Sequence, residues 1–368
     1  MQKAGALPIQ ELIELHATGF LQNVPKESFQ PASIDLSVGE EMYRIEGSVL
    51  PRREETIRTI LSDFKISKID FNQVLAPGQI YLCKVAEGIK LPADIYGFTN
   101  PKSSTGRNDI HVRVLADKVP RFDSLPRGFQ GEIWFLISSR NFPLKLTIGD
   151  KLAQLRLFNA DTRLDQAELE VVYVKHQLLW RSDGQPLALH ELKISDHDGS
   201  VILTIDLKYN DIIGYQAKQN TPVLEFSKRG HKVEDFFEPI ERPKNGHIIL
   251  QNGKFYILAT LEKCRVPIDF AAEMAPMDER AGEFRSHYAG FIDPGWGHGK
   301  HGDVKGLPLV LEVRPFDDNL LIRHNQSICK LKYERLRSIP EQIYGETSSH
   351  YHDKQTRVLL SKHFFKVQ

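Results

Sequence analysis

Several features that mark other classes of protein are missing from this sequence of 368 residues. The chain carries 48 basic and 48 acidic side chains, and this zero formal net charge argues against a general binder of nucleic acid or of membrane surfaces. No apolar run approaches the length that spans a bilayer. The N-terminal stretch MQKAGALPIQELIELHATGF carries acids and has a helical pattern, so we expect that it is not a signal peptide.

Cysteine is scarce in this chain. Cys83, Cys264 and Cys329 are scattered along the sequence, and no two of them form a CxxC pair. This spacing argues against a disulfide framework and is typical of proteins in a reducing compartment. We therefore predict a cytoplasmic protein.

Helical patterns are also few. The residues after Pro8 have the spacing of a short amphipathic helix, and the stretch from Arg52 to Phe64 has the spacing of a second helix. Most of the remaining chain consists of short β patterns between turn residues, such as QIYLCKVAE and GEIWFLISS. A chain of this length can hold two domains, and the pattern predicts mostly-β barrels or sandwiches.

An internal repeat divides the chain. The segment from Ala76 to Pro101 aligns without a gap with the segment from Gln251 to Pro276, at a constant offset of 175 residues. The segments GEIWFLISSRNFPLKLTIGDKLAQLRLF and GLPLVLEVRPFDDNLLIRHNQSICKLKY keep the same offset. We interpret the chain as two diverged copies of one mostly-β unit, residues 1–185 and 198–368, joined through polar, turn-rich sequence.

The first copy carries the motif NPKSSTGR after a strand pattern. Hydroxyl groups and a guanidinium suit the binding of phosphate, although a solvated polar turn would have the same composition. The residues concerned are Lys102, Ser103, Ser104 and Arg107. At the matching place the second copy reads APMDERAGEF, where Asp278 and Glu279 would repel an anion.

The second copy has a single acid, Glu312, inside the apolar run from Leu307 to Val313. A carboxylate buried without a partner is costly, so this acid must be paired or have a chemical role. The first copy has Ile137 at the matching place, or Leu136 if a one-residue gap intervenes, and neither can ionise. Each copy therefore lacks what the other retains, which is the pattern expected of one composite site between two domains.

Five segments taken together resemble the dCTP deaminase branch of the trimeric dUTPase-like superfamily: QPASIDLSVG, NPKSSTGR, AGFIDPGW, VLEV and GDKLAQLRLF. The C-terminal stretch IYGETSSHYHDKQT resembles the tail that closes over the triphosphate in that family. The resemblance covers nearly the whole chain and implies two tandem dUTPase-like domains, each a distorted β-barrel or jelly roll with a few short helices. Family members are homotrimers with sites between subunits, so a homo-oligomer is one possible assembly.

The resemblance implies hydrolytic deamination of dCTP to dUTP and ammonia, in which Glu312 takes a proton from water and passes it to the base. Ser103 and the backbone carbonyl of Ala289 would hold this water. The H-x-E and P-C-x-x-C ligands of zinc deaminases are absent from the sequence, so the resemblance implies a mechanism without a catalytic metal. Mg²⁺ is expected only on the triphosphate.

The resemblance also implies the residues that bind the substrate. Asp293 would contact the deoxyribose, although an Asp before Pro-Gly can also simply initiate a turn. The residues expected to bind the phosphates are Lys102, Ser104, Arg107, Gln154, Tyr344, Lys354 and Gln355. His298 and His301 lie in a Gly/His-rich loop that is longer than is usual in the family, and we interpret this loop as flexible and not as a metal site.

Two other functions remain open on the sequence. The first is dUTP diphosphatase activity, alone or combined with deamination, in which Asp293 would orient water against the α-phosphorus. Glu312 favours deamination, because a diphosphatase has no obvious use for a base at the cytosine end. The second is a non-catalytic, nucleotide-binding regulator on a decayed scaffold, which predicts that both copies have lost the site.

Overall fold

The computed structural model describes residues 3–192, 195–277, 284–285, 290–346 and 359–364. Its α-helices are α1 (Ile9–Ala17), α2 (Ile57–Asp63), α3 (Ser103–Gly106), α4 (Gln166–His176) and α5 (Val233–Phe236). Short 3-10 helices span Lys26–Ser28, Leu189–Glu191 and Lys362–Phe364. Within these ranges, no helix is long and apolar enough to cross a membrane.

Strands make up most of the regular structure, as the sequence predicts. The strands of the first part are β1 (Leu21–Gln22), β2 (Phe29–Gln30), β3 (Ser33–Ile45), β4 (Ile80–Val85), β5 (Gly88–Lys90), β6 (Tyr96–Pro101), β7 (Ile110–Ala116), β8 (Ser124–Leu125), β9 (Gln130–Gly131), β10 (Ile133–Ser139), β11 (Leu144–Lys145), β12 (Lys151–Phe158) and β13 (Leu179–Trp180). The main sheet of this part has the strand order β7-β10-β4-β3-β12-β6-β8, with β2 paired to β3. All its neighbouring strands are antiparallel, which fits the alternating patterns of the sequence.

The second part repeats this architecture. Its strands are β14 (Ser200–Thr204), β15 (Ile212–Ala217), β16 (Leu224–Glu225), β17 (Phe237–Glu241), β18 (His247–Leu250), β19 (Tyr256–Cys264), β20 (Phe270–Ala275), β21 (Phe284–Arg285), β22 (Phe291–Ile292), β23 (Leu307–Pro315), β24 (Leu320–Arg323) and β25 (Ser327–Arg335). One sheet has the order β17-β15-β19-β23-β21 and another the order β14-β25-β20-β22. The many strands and few short helices of both parts confirm the predicted mostly-β fold class.

Strand register settles the alignment of the two copies. Leu136 lies opposite Leu82, and Glu312 lies opposite Ile257. Leu82 and Ile257 are 175 residues apart, so Leu136 is the structural counterpart of Glu312. The one-residue gap left open by the sequence is therefore present, and the first copy has leucine where the second has its acid.

A polar contact is also repeated in both copies. Both the backbone N–H and the hydroxyl of Ser37 donate to the Glu87 carboxylate, at 2.8 and 2.6 Å. Thr204 donates in the same way to Glu262, at 2.8 and 2.7 Å. The two acids are again 175 residues apart, so the duplication extends to individual buried hydrogen bonds.

The two parts do not fold around fully separate cores. The larger apolar cluster holds first-copy strands together with residues of the second part such as Phe255 and Ile257, and with Phe364 near the C-terminus. Conversely, α4 and β13 precede the predicted boundary at residue 185. They nevertheless pack into a second apolar cluster, which otherwise consists mainly of residues of the second part. Strands β11 and β16 pair in parallel across the two parts. This shared packing holds the facing surfaces of the two copies together.

The helices differ in detail from the sequence prediction. Helix α1 begins directly after Pro8, as predicted. Helix α2 begins at Ile57 and not at Arg52, because the Thr56 side chain accepts from the N–H of Thr59 and caps the helix there. Helix α4 was not predicted, although Asp165 and Glu168 form a capping box at its start.

Candidate active site

A cavity of about 340 Å³ lies between the two copies and is lined by residues of both. It brings together eight of the predicted site residues within a single chain: Lys102, Ser103, Ser104, Arg107, Gln154, Asp293, Glu312 and Tyr344. Ala289, Lys354 and Gln355 lie outside the described residues. The complementary losses seen in the sequence therefore correspond to one shared cavity.

Strand geometry explains why Glu312 reaches this cavity. Its neighbours Leu311 and Val313 are fully buried in the core of the second part. Because successive side chains of a strand point to opposite faces, Glu312 projects away from that core. The side chain lines the cavity and is only 1% exposed. The acid is thus sheltered from bulk water while it faces the space that a ligand would occupy.

The KSSTGR motif forms a single helical turn that is tied to β12. The Lys102 N–H and the Thr105 hydroxyl both donate to the carbonyl of Leu152, at 2.9 Å each. The Ser104 hydroxyl lines the cavity in a residue that is only 3% exposed, and it has no hydrogen-bond partner within the described part of the chain. A buried hydroxyl without a partner is costly, so this atom is a candidate ligand-binding group.

Asp35 is a residue of the cavity that the sequence analysis missed. It lies on β3, is 2% exposed, and accepts from the Lys102 ammonium at 2.5 Å. The signal was present, because Asp35 is the sole acid in the apolar run SIDLSV, just as Glu312 is in its own strand. The ion pair fixes the position of Lys102 at the cavity and offsets its charge.

Arg156 is a second residue that the sequence analysis missed, and it lies beside the cavity residue Asp293. Its guanidinium is fully buried, pairs with Glu334 at 2.6 Å, and lies 3.6 Å from the Asp293 carboxylate. It also donates to the carbonyls of Ala272 and Ile292, at 3.1 and 3.2 Å. Strand β12 of the first copy thereby holds the DPGW turn of the second copy.

Asp293 serves both as a turn residue and as a cavity residue. Its carbonyl accepts from the Trp296 N–H at 3.2 Å, which closes the turn that the sequence predicts. Its carboxyl group lines the cavity. Burial raises the pKa of this carboxyl group, and the nearby Arg156 and Lys102 oppose that rise. The two interpretations of Asp293 are therefore compatible.

The Gly/His-rich loop folds back on itself before β23 begins. The Gly306 N–H donates to the Gly297 carbonyl at 2.9 Å, and Arg265 holds the Gly302 carbonyl at 2.8 Å. Gly297 has a φ of 59°, and a Cβ there would lie 2.1 Å from the Cys264 carbonyl, so only glycine fits. The extra residues of this loop therefore form a compact, hydrogen-bonded connection between Asp293 and Glu312.

Two aromatic rings border the cavity at the DPGW turn. Trp296 and Tyr344 pack edge to face with 4.7 Å between ring centroids. The Tyr344 N–H donates to the Pro294 carbonyl at 2.8 Å. This contact places the start of the C-terminal tail beside the site, as the resemblance implies for Tyr344.

Comparisons with known proteins identify the family of this chain. The model of the 2′-deoxycytidine 5′-triphosphate deaminase N-terminal domain matches residues 3–161, and the model of the C-terminal domain matches residues 174–364. The crystal structure of 2′-deoxycytidine 5′-triphosphate deaminase from Agrobacterium tumefaciens is similar, with a TM-score of 0.84 and 34% identity over 94% of this chain and 99% of that one.

Curated relatives match between 31% and 41% of the chain. A protein from Nanoarchaeum equitans named "dCTP deaminase, dUMP-forming" is 28% identical over 167 residues, which cover 41% of this chain and 80% of the relative. A Haloarcula marismortui protein named "dCTP deaminase" is 26% identical over 146 residues, 39% of this chain and 72% of the relative. The two domain models and the whole-length structural match show that this chain belongs to the 2′-deoxycytidine 5′-triphosphate deaminase family.

Proposed function

We propose that this chain is a hydrolase that deaminates dCTP, with Glu312 as the catalytic base. The observation that carries the proposal is the convergence of Glu312 with Ser103, Ser104 and Arg107 on one cavity, although the two motifs lie in different copies. A regulator on a decayed scaffold would not need each copy to keep the part that the other lost. The names of the relatives support the same reaction.

The chemistry assigned to Glu312 is general acid–base catalysis. Its carboxylate accepts a proton from water as the water oxygen bonds to C4 of cytosine. Glu312 passes this proton to the ring nitrogen N3, which leaves a tetrahedral C4 that carries a hydroxyl and the amino group. Glu312 then takes the proton of that hydroxyl as the C4 carbonyl forms, and gives it to the amino group as the C–N bond breaks, so that dCTP and water give dUTP and ammonia. Ser103, together with the carbonyl of Ala289, is assigned to hold the water.

The other cavity residues are assigned to substrate binding. Arg107 and Lys102 supply positive charge, and the Ser104 hydroxyl, which has no partner among the described residues, supplies a hydrogen bond to a phosphate oxygen. Gln154, Tyr344, Lys354 and Gln355 are also assigned to binding of the triphosphate. Asp293 is assigned to the deoxyribose. We propose that Mg²⁺ arrives on the triphosphate as part of the substrate and takes no part in the deamination.

A second candidate is the combined conversion of dCTP to dUMP. The name "dUMP-forming" is carried by several relatives, including the one from Nanoarchaeum equitans, and this favours it. The buried carboxyl group of Asp293 lies in the same cavity and is the group that would orient water against the α-phosphorus. The two candidates share the deamination step and differ only in whether pyrophosphate is released.

One assay separates these functions. The purified protein is given dCTP and Mg²⁺, and ammonia, pyrophosphate, dUTP and dUMP are measured together. Ammonia with dUTP supports simple deamination, whereas ammonia with dUMP and pyrophosphate supports the combined reaction. Pyrophosphate from dUTP without ammonia from dCTP would refute the proposal, and nucleotide binding without any product would favour a regulator.

A further inference from the structure

The C-terminal residues 359–364 form a short segment that packs against residues of both copies. Leu359, Leu360 and Phe364 are all less than 9% exposed and belong to the larger apolar cluster. The Phe364 ring packs edge to face against Phe236 and Phe237, with centroids 5.6 and 5.3 Å away. The apolar residues at both ends of the segment are thereby fixed in the core.

Polar contacts link the same segment to the KSSTGR turn. The Ser361 hydroxyl donates to Oδ1 of Asn108, and Nδ2 of Asn108 donates to Nδ1 of His363, both at 2.7 Å. Nδ2 of Asn108 also donates to the Ser104 carbonyl at 2.8 Å. One amide therefore joins the C-terminal segment to the turn whose hydroxyl is the candidate phosphate ligand.

Lys362 lies between the two anchored residues and lines the cavity. Two further lysines line the cavity, and each lies near a carboxylate. Lys102 is paired with Asp35 at 2.5 Å, and the Lys151 ammonium donates to the Glu27 carbonyl at 3.1 Å, with the Glu27 carboxylate 3.8 Å away. A triphosphate carries several negative charges, so each cation that lines the cavity can form a charge-assisted contact with it.

We propose that Lys362 binds the triphosphate of the substrate and that the docked 359–364 segment holds it in place for this contact, an inference that rests on the proposed function. The segment lies beyond the tail residues Lys354 and Gln355 in the sequence and contacts Asn108 of the first copy and Phe236 and Phe237 of the second. It therefore adds a cation to the site that the motif analysis did not identify.

The electrostatic surroundings of Lys362 agree with this role. Burial lowers the pKa of its ammonium group to about 8, with Arg229, Lys102 and Lys151 adding to the decrease and Asp35 opposing it. At a pH of about 8.5 the free enzyme would thus hold Lys362 partly neutral. A bound polyanion favours the charged form, so binding of the triphosphate should be accompanied by proton uptake.

The test compares Lys362→Gln with the wild-type protein and with Lys362→Arg. We expect Lys362→Gln to raise the KM for dCTP and the inhibition constant of inorganic tripolyphosphate about tenfold, with little change in kcat. Lys362→Arg should restore most of the affinity. Lys228→Gln is the matched control, because Lys228 is 58% exposed and does not line the cavity.

Calorimetry supplies a second readout. Titration of the protein with dCTP at a pH of about 8.5, in two buffers of different ionisation enthalpy, should show proton uptake that Lys362→Gln reduces. Wild-type affinity in a folded Lys362→Gln protein that still deaminates dCTP would overturn the inference and leave the proposed function intact. If Lys362→Gln does not fold, unchanged tripolyphosphate inhibition in Lys362→Met would overturn it. Absence of deamination in the wild-type protein would instead refute the proposed function.

Discussion

Arg314 and Asp109 form an ion pair across the two copies, with 2.5 Å between Nη2 and Oδ2, although they lie 205 residues apart in sequence. Arg314 follows Glu312 by two residues, and Asp109 follows Arg107 by two residues. Asp109 is fully buried, and Arg314 also donates to Oδ1 of Asn141 at 3.1 Å. The pair therefore joins the strand that carries Glu312 to the loop that follows KSSTGR.

Replacing only one partner of this ion pair should lower the stability of the fold. We expect Arg314→Met to lower the free energy of unfolding by about 3–5 kcal/mol, because it removes the ion-pair partner of a buried carboxylate. Asp109→Asn removes the negative charge of the other partner, and asparagine tolerates the backbone φ of 56° at this position. The double variant should lose less than the sum of the single losses, measured by urea unfolding as a double-mutant cycle. Additive losses would show that the two side chains are not coupled.

Ser104→Ala should separate binding from stability. The hydroxyl has no partner in the described part of the molecule, so its removal should leave the melting temperature unchanged or slightly higher. The KM for dCTP should rise about tenfold, since a hydrogen bond to a charged phosphate is lost. Ser103→Ala is the comparison: it should lower kcat and leave the KM nearly unchanged. Equal effects of both variants on kcat would contradict the assignment of separate roles.

Glu312→Gln should abolish deamination while nucleotide binding persists, because the amide cannot accept a proton from water. Turnover is measured as ammonia release, and binding by calorimetry with dCTP. Glu87→Gln is the matched control, since Glu87 is also a buried glutamate but lies in the bend between β4 and β5, is bound to Ser37 and does not line the cavity. Retained ammonia release in Glu312→Gln would remove this residue from the mechanism.

The sequence predicts the residues that stand out locally. Glu312 is a lone acid in an apolar strand, and the serines of KSSTGR lie in a distinctive motif, so both could be chosen as candidate site residues without a structure, and both line the cavity. The repeat also predicts the duplicated architecture. It cannot fix the alignment to one residue, because Leu136 and Ile137 are equally apolar and only the strand register distinguishes them.

Other parts of the site depend on packing between distant segments. Arg156 lies in the motif KLAQLRL, but nothing local shows that its guanidinium supports Asp293 of the other copy. The pairing of Arg314 with Asp109 likewise exists only once the copies are in contact. Lys362 lies in a polar C-terminal sequence, and its position at the cavity follows from the docking of Phe364.

The docking of the C-terminal segment should depend on pH through His363. This side chain is fully buried, and burial, with the nearby Lys362 and Arg229, lowers its pKa from 6.5 to about 3. Its Nδ1 accepts from the Asn108 amide, which requires a ring nitrogen without a proton. Between these two pKa values the unfolded chain binds a proton that the folded chain does not, so the stability supplied by the neutral ring falls as the pH decreases.

We therefore expect His363 alone to lower the free energy of unfolding by about 2 kcal/mol between about pH 7 and about pH 5. His363→Asn should reduce the loss of stability over this range by that amount, measured by urea unfolding at both pH values. His197→Asn is the matched control, because His197 is exposed and its φ of 54° suits asparagine. An identical pH dependence in His363→Asn and the wild-type protein would mean that this histidine does not set the acid sensitivity of the docked segment.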